Sequence, residues 1–355
     1  MKQINILKNL FLGCFLLIFM FAESKAQNTY YDGDVILETQ EEVVAFGANN
    51  YNQITGNLEI GGINGSGITD LSPLLSLISI LGDFTISAIG ADSLNGLNNI
   101  GSVRGKLLVE NNHLIINIDE LSNMFVGKSI LFINNTELTN LDGFSSRITT
   151  VNGDLYINKN ASLTNIDGLS SINYIIGGLT LFDNSKLTNL DGLINIKQVR
   201  GGLDIQGQSL INNIDGLSNI SSIGTDIIIG LNPLLTNLNG LIKLSTLGGN
   251  LSVASNILLD SFCGLFTLLN GGGLAGAYTV TGNASNPTMA EIIIGGTCNL
   301  GSICLGDVTL TTQAEVNDFI CTEITGSLRI YGNDITDLSP LSTLTSVSGL
   351  LRISS

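Results

Sequence analysis

Apolar positions along this chain recur on a fixed beat. The segment LTNLDGL (Leu187–Leu193) has near-copies starting at Leu138 (LTNLDGF), Leu163 (LTNIDGL), Ile211 (INNIDGL) and Leu235 (LTNLNGL). Successive starts lie 25, 24, 24 and 24 residues apart. Tracing one apolar position both ways gives Leu71, Leu94, Ile118, Leu141, Ile166, Leu190, Ile214, Leu238 and Phe262, which makes nine coils of 23–25 residues. A period of that length marks a stacked array, in which no coil buries its apolar face alone and the core forms between neighbours. Between corners, the pairs Leu155/Ile157, Leu179/Leu181, Leu203/Ile205, Ile227/Ile229 and Leu251/Val253 show the two-residue alternation of a strand with one face inward. Each strand sits one coil above the last, so the strands must stack in parallel, about 4.8 Å apart. The fold class predicted is an all-β-rich repeat solenoid, a right-handed parallel β-helix.

Two asparagine columns keep the same beat. Asn135, Asn160, Asn184, Asn232 and Asn256 follow the strand, with Gln208 taking the place once. Asn117, Asn140, Asn165, Asn189, Asn213 and Asn237 precede the corner turn. Amides that turn inward at bends are expected to satisfy backbone groups that lack a ladder partner. The N-x-S/T sequon at Asn160 then falls on an inward column, whereas those at Asn134, Asn219 and Asn250 lie off it. In the corner itself the leucines point inward and Asn holds the bend. Asp-Gly then makes a turn in which Gly supplies a positive φ.

The bulk composition agrees with an ordered chain. Of 355 residues, 44% are hydrophobic and 12% charged, too apolar and too poor in charge for disorder. Lys2 and Lys8 flank an apolar run from Leu10 to Ala22, and ESKAQN follows. That run is short for a bilayer span and reads as a secretory signal peptide over residues 1–26. Cys14 lies inside the apolar run, which argues against lipidation there. Removing residues 1–26 takes away three Lys and one Glu, a net +2, so the formal charge moves from −16 to −18. Such an acidic surface disfavours nucleic acid and anionic lipid as partners. No later segment approaches a membrane span, so no membrane insertion is expected. Four cysteines remain in the exported chain, Cys263, Cys298, Cys304 and Cys321. Three pairings into two disulfides are possible. Cys263–Cys298, pinning the end of the array, with Cys304–Cys321, closing a short loop, is the preferred one. Their spacing has no zinc-site pattern.

At the start of the array, GDVILETQEEVVAF (Gly33–Phe46), ITGNLEI (Ile54–Ile60) and ITDLSPLLSL (Ile68–Leu77) resemble the opening of a receptor L-domain. TVTGNASNPTMAEIIIGGTC (Thr279–Cys298) resembles the closing segment of bacterial members. The resemblance implies a leucine-rich-repeat-like parallel β-helix of the kind found in insulin- and epidermal-growth-factor-receptor ectodomains and in exported bacterial proteins. The opening then recurs as GDVTLTTQAEVNDF (Gly306–Phe319), ITGSLRI (Ile324–Ile330) and ITDLSPLSTL (Ile335–Leu344). The expected organisation is a signal peptide (1–26), a receptor L-domain-like solenoid (27–300) and an incomplete second L-domain (301–355). Bacterial relatives often belong to long surface proteins, so further domains of the same polypeptide are a possible partner.

Catalytic chemistry has little to draw on. The single histidine, His113, stands beside a predicted turn, and no Ser or Cys sits in a nucleophile-elbow context. Gly271–Gly273 lacks the strand-to-helix phosphate signature. Asp119, Asp142, Asp167, Asp191 and Asp215 occupy one corner of successive coils before Asn239 takes the place. A column of like charges could be relieved by Ca²⁺, but Asp also suits a turn before Gly when it stays hydrated, and no metal site is expected. The outward strand positions Tyr156, Thr180, Asp204, Ile228 and Ser252, with Phe182 beside them and Leu108 before them, offer a binding surface instead. Tyr156, Phe182 and Ile228 would form an apolar strip edged by Asp154, Asp204 and Asp226. The candidate ligand-binding residues are thus Tyr156, Phe182, Asp204 and Ile228. The expectation is an exported, non-enzymatic recognition or adhesion module, secreted or at a bacterial cell surface, with no cofactor and a protein, peptide or glycan ligand. The alternatives are a carbohydrate-active β-helix enzyme, which would want cationic and carboxylate clusters in a groove, and a rigid spacer in a larger surface protein.

Overall fold

Eleven strands lie side by side in one parallel sheet, in strict chain order. They are Val35–Leu37, Leu58–Gly61, Phe84–Ser87, Leu107–Glu110, Ile130–Ile133, Leu155–Asn158, Leu179–Phe182, Leu203–Gln206, Ile227–Gly230, Leu251–Ala254 and Tyr278–Thr281. The computed structural model describes residues 29–295 and 303–354, apart from Asn64, Ser145, Leu305, Asp318, Ile320 and Thr322. The expected signal peptide and Cys298 lie outside the described residues. Every corner residue used to count the coils, from Leu71 to Phe262, is buried, as are the inward strand pairs. The long sheet is thus one wall of a parallel β-solenoid whose core is made of stacked Leu, Ile and Val columns.

A second, shorter wall runs beside it and breaks once. Two-residue strands form one ladder from Tyr30–Tyr31 to Phe125–Val126 and another from Thr150–Val151 to Thr246–Leu247. The gap falls in the one coil of 25 residues, where an extra residue stands between the buried Phe144 and Ile148. Phe144 replaces the usual aliphatic there and meets Phe132 edge to face, with ring centroids 5.8 Å apart, which keeps the core filled where the ladder is lost.

The asparagine column after the strand forms a continuous inner ladder, and it extends further than the repeat indicates, from Asn112 to Asn283. Asn160 is representative. Its Nδ2 donates to Phe132 O at 2.9 Å and to Asn184 Oδ1 at 3.2 Å, while its Oδ1 accepts from Asn135 N at 3.0 Å and Asn135 Nδ2 at 3.1 Å. The need for this ladder comes from the residue before it. Asn111, Asn134, Lys159, Asp183, Leu231 and Ser255 all have φ between 53° and 59°. This left-handed turn takes the chain out of the sheet, leaving backbone groups that the next residue's amide satisfies. Complete burial of Asn160 also removes that sequon from the surface.

The corner differs from expectation in two respects. The second asparagine column does not turn into the core. Asn140 Oδ1 accepts from Asp142 N at 3.0 Å, and Asn165, Asn189, Asn213 and Asn237 make the same bond two residues on, a local Asx turn at the surface. The Gly of Asp-Gly is not left-handed either, because Asp167–Leu169 and its counterparts are 3-10 turns. Glycine is required by close approach. A Cβ at Gly168, Gly192, Gly216 or Gly240 would collide with the main-chain carbonyl of Leu141, Ile166, Leu190 or Ile214 in the coil before.

The helix Gln40–Gly47 covers the first strands, started by a capping box between Thr39 and Glu42. Gln40 Oε1 accepts from Thr69 N and Asp70 N, both at 2.9 Å, tying the helix to the segment that follows the second long strand. The same device reappears near the C-terminus, where Gln313 Oε1 accepts from Thr336 N at 2.7 Å and Asp337 N at 2.8 Å. There the strands Val308–Leu310, Leu328–Ile330 and Leu351–Ile353 form their own parallel sheet, over a separate core that includes Leu310, Val316, Ile324 and Leu328. Cys304 and Cys321 are bonded to each other, as preferred from the sequence. Cys263 is disulfide-bonded too, and its partner lies outside the described residues.

Candidate binding face

Two outward columns run up the long sheet, one at the second and one at the fourth position of each strand. Strand register aligns Leu108, Leu131, Tyr156, Thr180, Asp204, Ile228 and Ser252 in the first. The second carries Glu110, Ile133, Asn158, Phe182, Gln206 and Gly230. Tyr156 and Phe182 are therefore diagonal neighbours on adjacent strands, and both are half-buried. Asp204 stands one strand beyond Phe182. Ile228 is set apart: Thr180 and Asp204 separate it from Tyr156, a distance of about 14 Å at the spacing of stacked strands.

The apolar strip instead continues toward the N-terminal coils, through Leu131, Ile133 and Leu108, all half-buried. Leu131 and Ile133 were missing from the sequence reading because they lie in the 25-residue coil, where ILFINN is apolar on both faces and the alternation fades. With Leu108, Tyr156 and Phe182 they place outward apolar side chains on four adjacent strands.

Polar neighbours divide into those that hold the fold and those that face outward. Asp154 Oδ1 accepts from Gly178 N at 2.8 Å and Asp226 Oδ1 from Asn250 N at 2.6 Å, in the coil above each. Each of these two carboxylates uses one oxygen to position the strand start above it while staying exposed beside the face. On the face itself Asn158 Nδ2 donates to the Tyr156 hydroxyl at 3.1 Å, and Gln206 Nε2 to Asp204 Oδ1 at 2.7 Å. Burial raises the Asp204 pKa above its ordinary value, and the Gln206 hydrogen bond works against that shift.

Other places with chemical potential are poorer. His113 Nδ1 lies 3.1 Å from Thr136 Oγ1 at the surface. Among the described residues no three His, Cys, Asp or Glu side chains gather closely enough to hold a metal ion, the Asp column included. Within that column Asp167 is raised in pKa by partial burial and then by Asp142 and Asp191, and Asp215 by burial and then by Asp191. A shallow cleft near the end of the solenoid is lined by Tyr278, Asn286 and Thr288. The Tyr278 hydroxyl donates to Pro287 O at 2.7 Å and its pKa is pushed up to about 12 by burial and by Glu291, so it keeps its proton near neutrality. No helix among the described residues is long and apolar enough to cross a membrane. No protein family, curated protein or solved structure matches this chain.

Proposed function

We propose that this protein is an exported, non-enzymatic binding module of the receptor L-domain type, which captures its ligand on the outward face of the long sheet. The observation that carries this reading is the strip Leu108–Leu131–Ile133–Tyr156–Phe182, half-covered side chains on a wall whose inward columns are fully engaged in the fold. Rigid strands hold those side chains in fixed relative positions, which lowers the entropy lost when a ligand is bound. The charged N-terminal flank and apolar run of residues 1–26 support export, and the disulfide at Cys304–Cys321 suits an oxidising compartment. The paired opening motifs support the L-domain assignment.

The test is a screen of the intact chain against arrays of oligosaccharides and of peptides, repeated with Tyr156→Ala and Phe182→Ala combined. The reading expects the wild-type protein to retain at least one class of probe, and the double variant to lose it with little change in thermal unfolding. Binding that ignores both substitutions would contradict it.

A further inference from the structure

Three adjacent strands place six side chains in a compact block: Tyr156 and Asn158, Thr180 and Phe182, Asp204 and Gln206. The two rings are diagonal, and a carboxamide flanks Phe182 on each side. All six are half-buried. Their polar atoms are only partly used. Asn158 Oδ1 is shielded from solvent yet has no hydrogen-bond partner, while its amide nitrogen is fixed by the Tyr156 oxygen. Gln206 and Asp204 orient each other through a single bond, leaving a donor and an acceptor on Gln206 and further acceptor positions on Asp204. A ligand hydroxyl that meets this Asn158 oxygen as the half-buried side chain turns outward would give it the partner it lacks.

The chemistry of the block narrows what it would take. The strands beneath are hydrogen-bonded on both sides, so an extended peptide finds no sheet edge here to add to. A protein–protein hot spot is dry at its centre with polar groups at the rim, whereas here Asn158 and Thr180 fill the corners between the two rings, and Asp204 and Gln206 stand on the far side of Phe182. A sugar matches that mixture: its C–H faces stack on aromatic rings, and each hydroxyl both donates and accepts. The block contains one carboxylate and no cation, in a chain of formal charge −16, which repels a polyanion. Resting on the reading above, we propose that this block is a subsite for a neutral glycan, a chain of uncharged pyranose rings laid across the strands.

Isothermal titration of the intact chain with neutral hexasaccharides of glucose, xylose, mannose and N-acetylglucosamine tests this directly. At least one should bind, and Tyr156→Ala or Phe182→Ala should weaken it about tenfold or more. Asn158→Leu, which keeps the size but removes the unpartnered acceptor, should weaken it as well, with thermal unfolding confirming that each variant folds. The glycan assignment is overturned if no hexasaccharide binds, or if Asn158→Leu leaves the affinity unchanged. Capture of a peptide that depends on Tyr156 and Phe182, with no hexasaccharide bound, would overturn the glycan alone and keep the face as a binding site. Hexasaccharide binding indifferent to both aromatic substitutions would remove both.

Discussion

The inner ladder and the outward face of the same strands are separated by two residues and obey different rules. Inside, the position after the left-handed turn is Asn in seven of the eight coils from Asn112 to Asn283, and its bonds repeat from coil to coil. Outside, the aligned residues change at nearly every step, from Leu131 to Tyr156 to Thr180 to Asp204. Stacking explains the first pattern, because each coil must present the same groups to the coil above and below it. Nothing in stacking explains the second. Where a repeat protein abandons its repeat on a rigid wall, side-chain identity is available for recognition.

The largest effects should come from breaking the inside. Asn160→Ala removes a side chain that bonds the coils on either side, takes one donor from Phe132 O, and strands Asn135 N and a proton of Asn135 Nδ2 in the core. With each stranded group worth about 1–3 kcal/mol, urea unfolding should show a loss of about 3–5 kcal/mol. A loss below about 1 kcal/mol would mean that the ladder is ornamental. Gly216→Ala should be next, at about 1–3 kcal/mol for overpacking, since its Cβ would strike the Leu190 carbonyl. Gly67→Ala is the matched control, with open space around it, and should be neutral or slightly stabilising by the same measurement.

The smallest effect lies at the acidic corner. The Asp167 carboxyl is raised in pKa in the folded state, first by burial and then by Asp142 and Asp191. Ionisation there opposes folding, so its contribution is most favourable below the ordinary pKa near 3.8 and is lost as pH rises through the raised value. Asp167→Asn should therefore stabilise the protein at pH 7 by no more than a few tenths of a kcal/mol after solvent screening, and change nothing near pH 3. Thermal melts at the two pH values would show it, and equal shifts at both would assign the effect to something other than charge.

Periodicity made the solenoid legible, because Leu and Ile at fixed spacing leave few other ways to bury so much apolar surface. The inner asparagines were legible for the same reason. The left-handed turn before them was not, since Lys159 and Leu231 have no preference for that conformation and adopt it because the stack imposes it. The corner glycines announced themselves, but their reason is a carbonyl in the preceding coil, a contact between residues roughly one repeat apart that a local turn rule does not see. Tyr156, Phe182 and Asp204 were found by alternation. Asn158 and Gln206 were passed over because their amides resemble the ladder residues two positions on, and the bonds of Asp154 and Asp226 to the next coil were not legible because their partners are backbone groups one repeat away.

Gln206 and Gln208 allow the contrast between inside and outside to be tested with one chemical change. Gln208 occupies the ladder, is fully buried, and leaves its Oε1 without a partner, while its own amide donates to Gln206 O at 2.8 Å. No bond from Asn184 reaches it, whereas Asn232 and Asn256 above it are joined as elsewhere. Gln206 lies on the outward face. Urea unfolding of Gln208→Asn and Gln206→Asn, measured side by side, decides the matter. The account predicts that shortening Gln208 restores the ladder and stabilises the protein by about 1 kcal/mol, while the same change at Gln206 stays within about 0.5 kcal/mol of zero. Equal effects at the two positions, or a loss at Gln208, would contradict it.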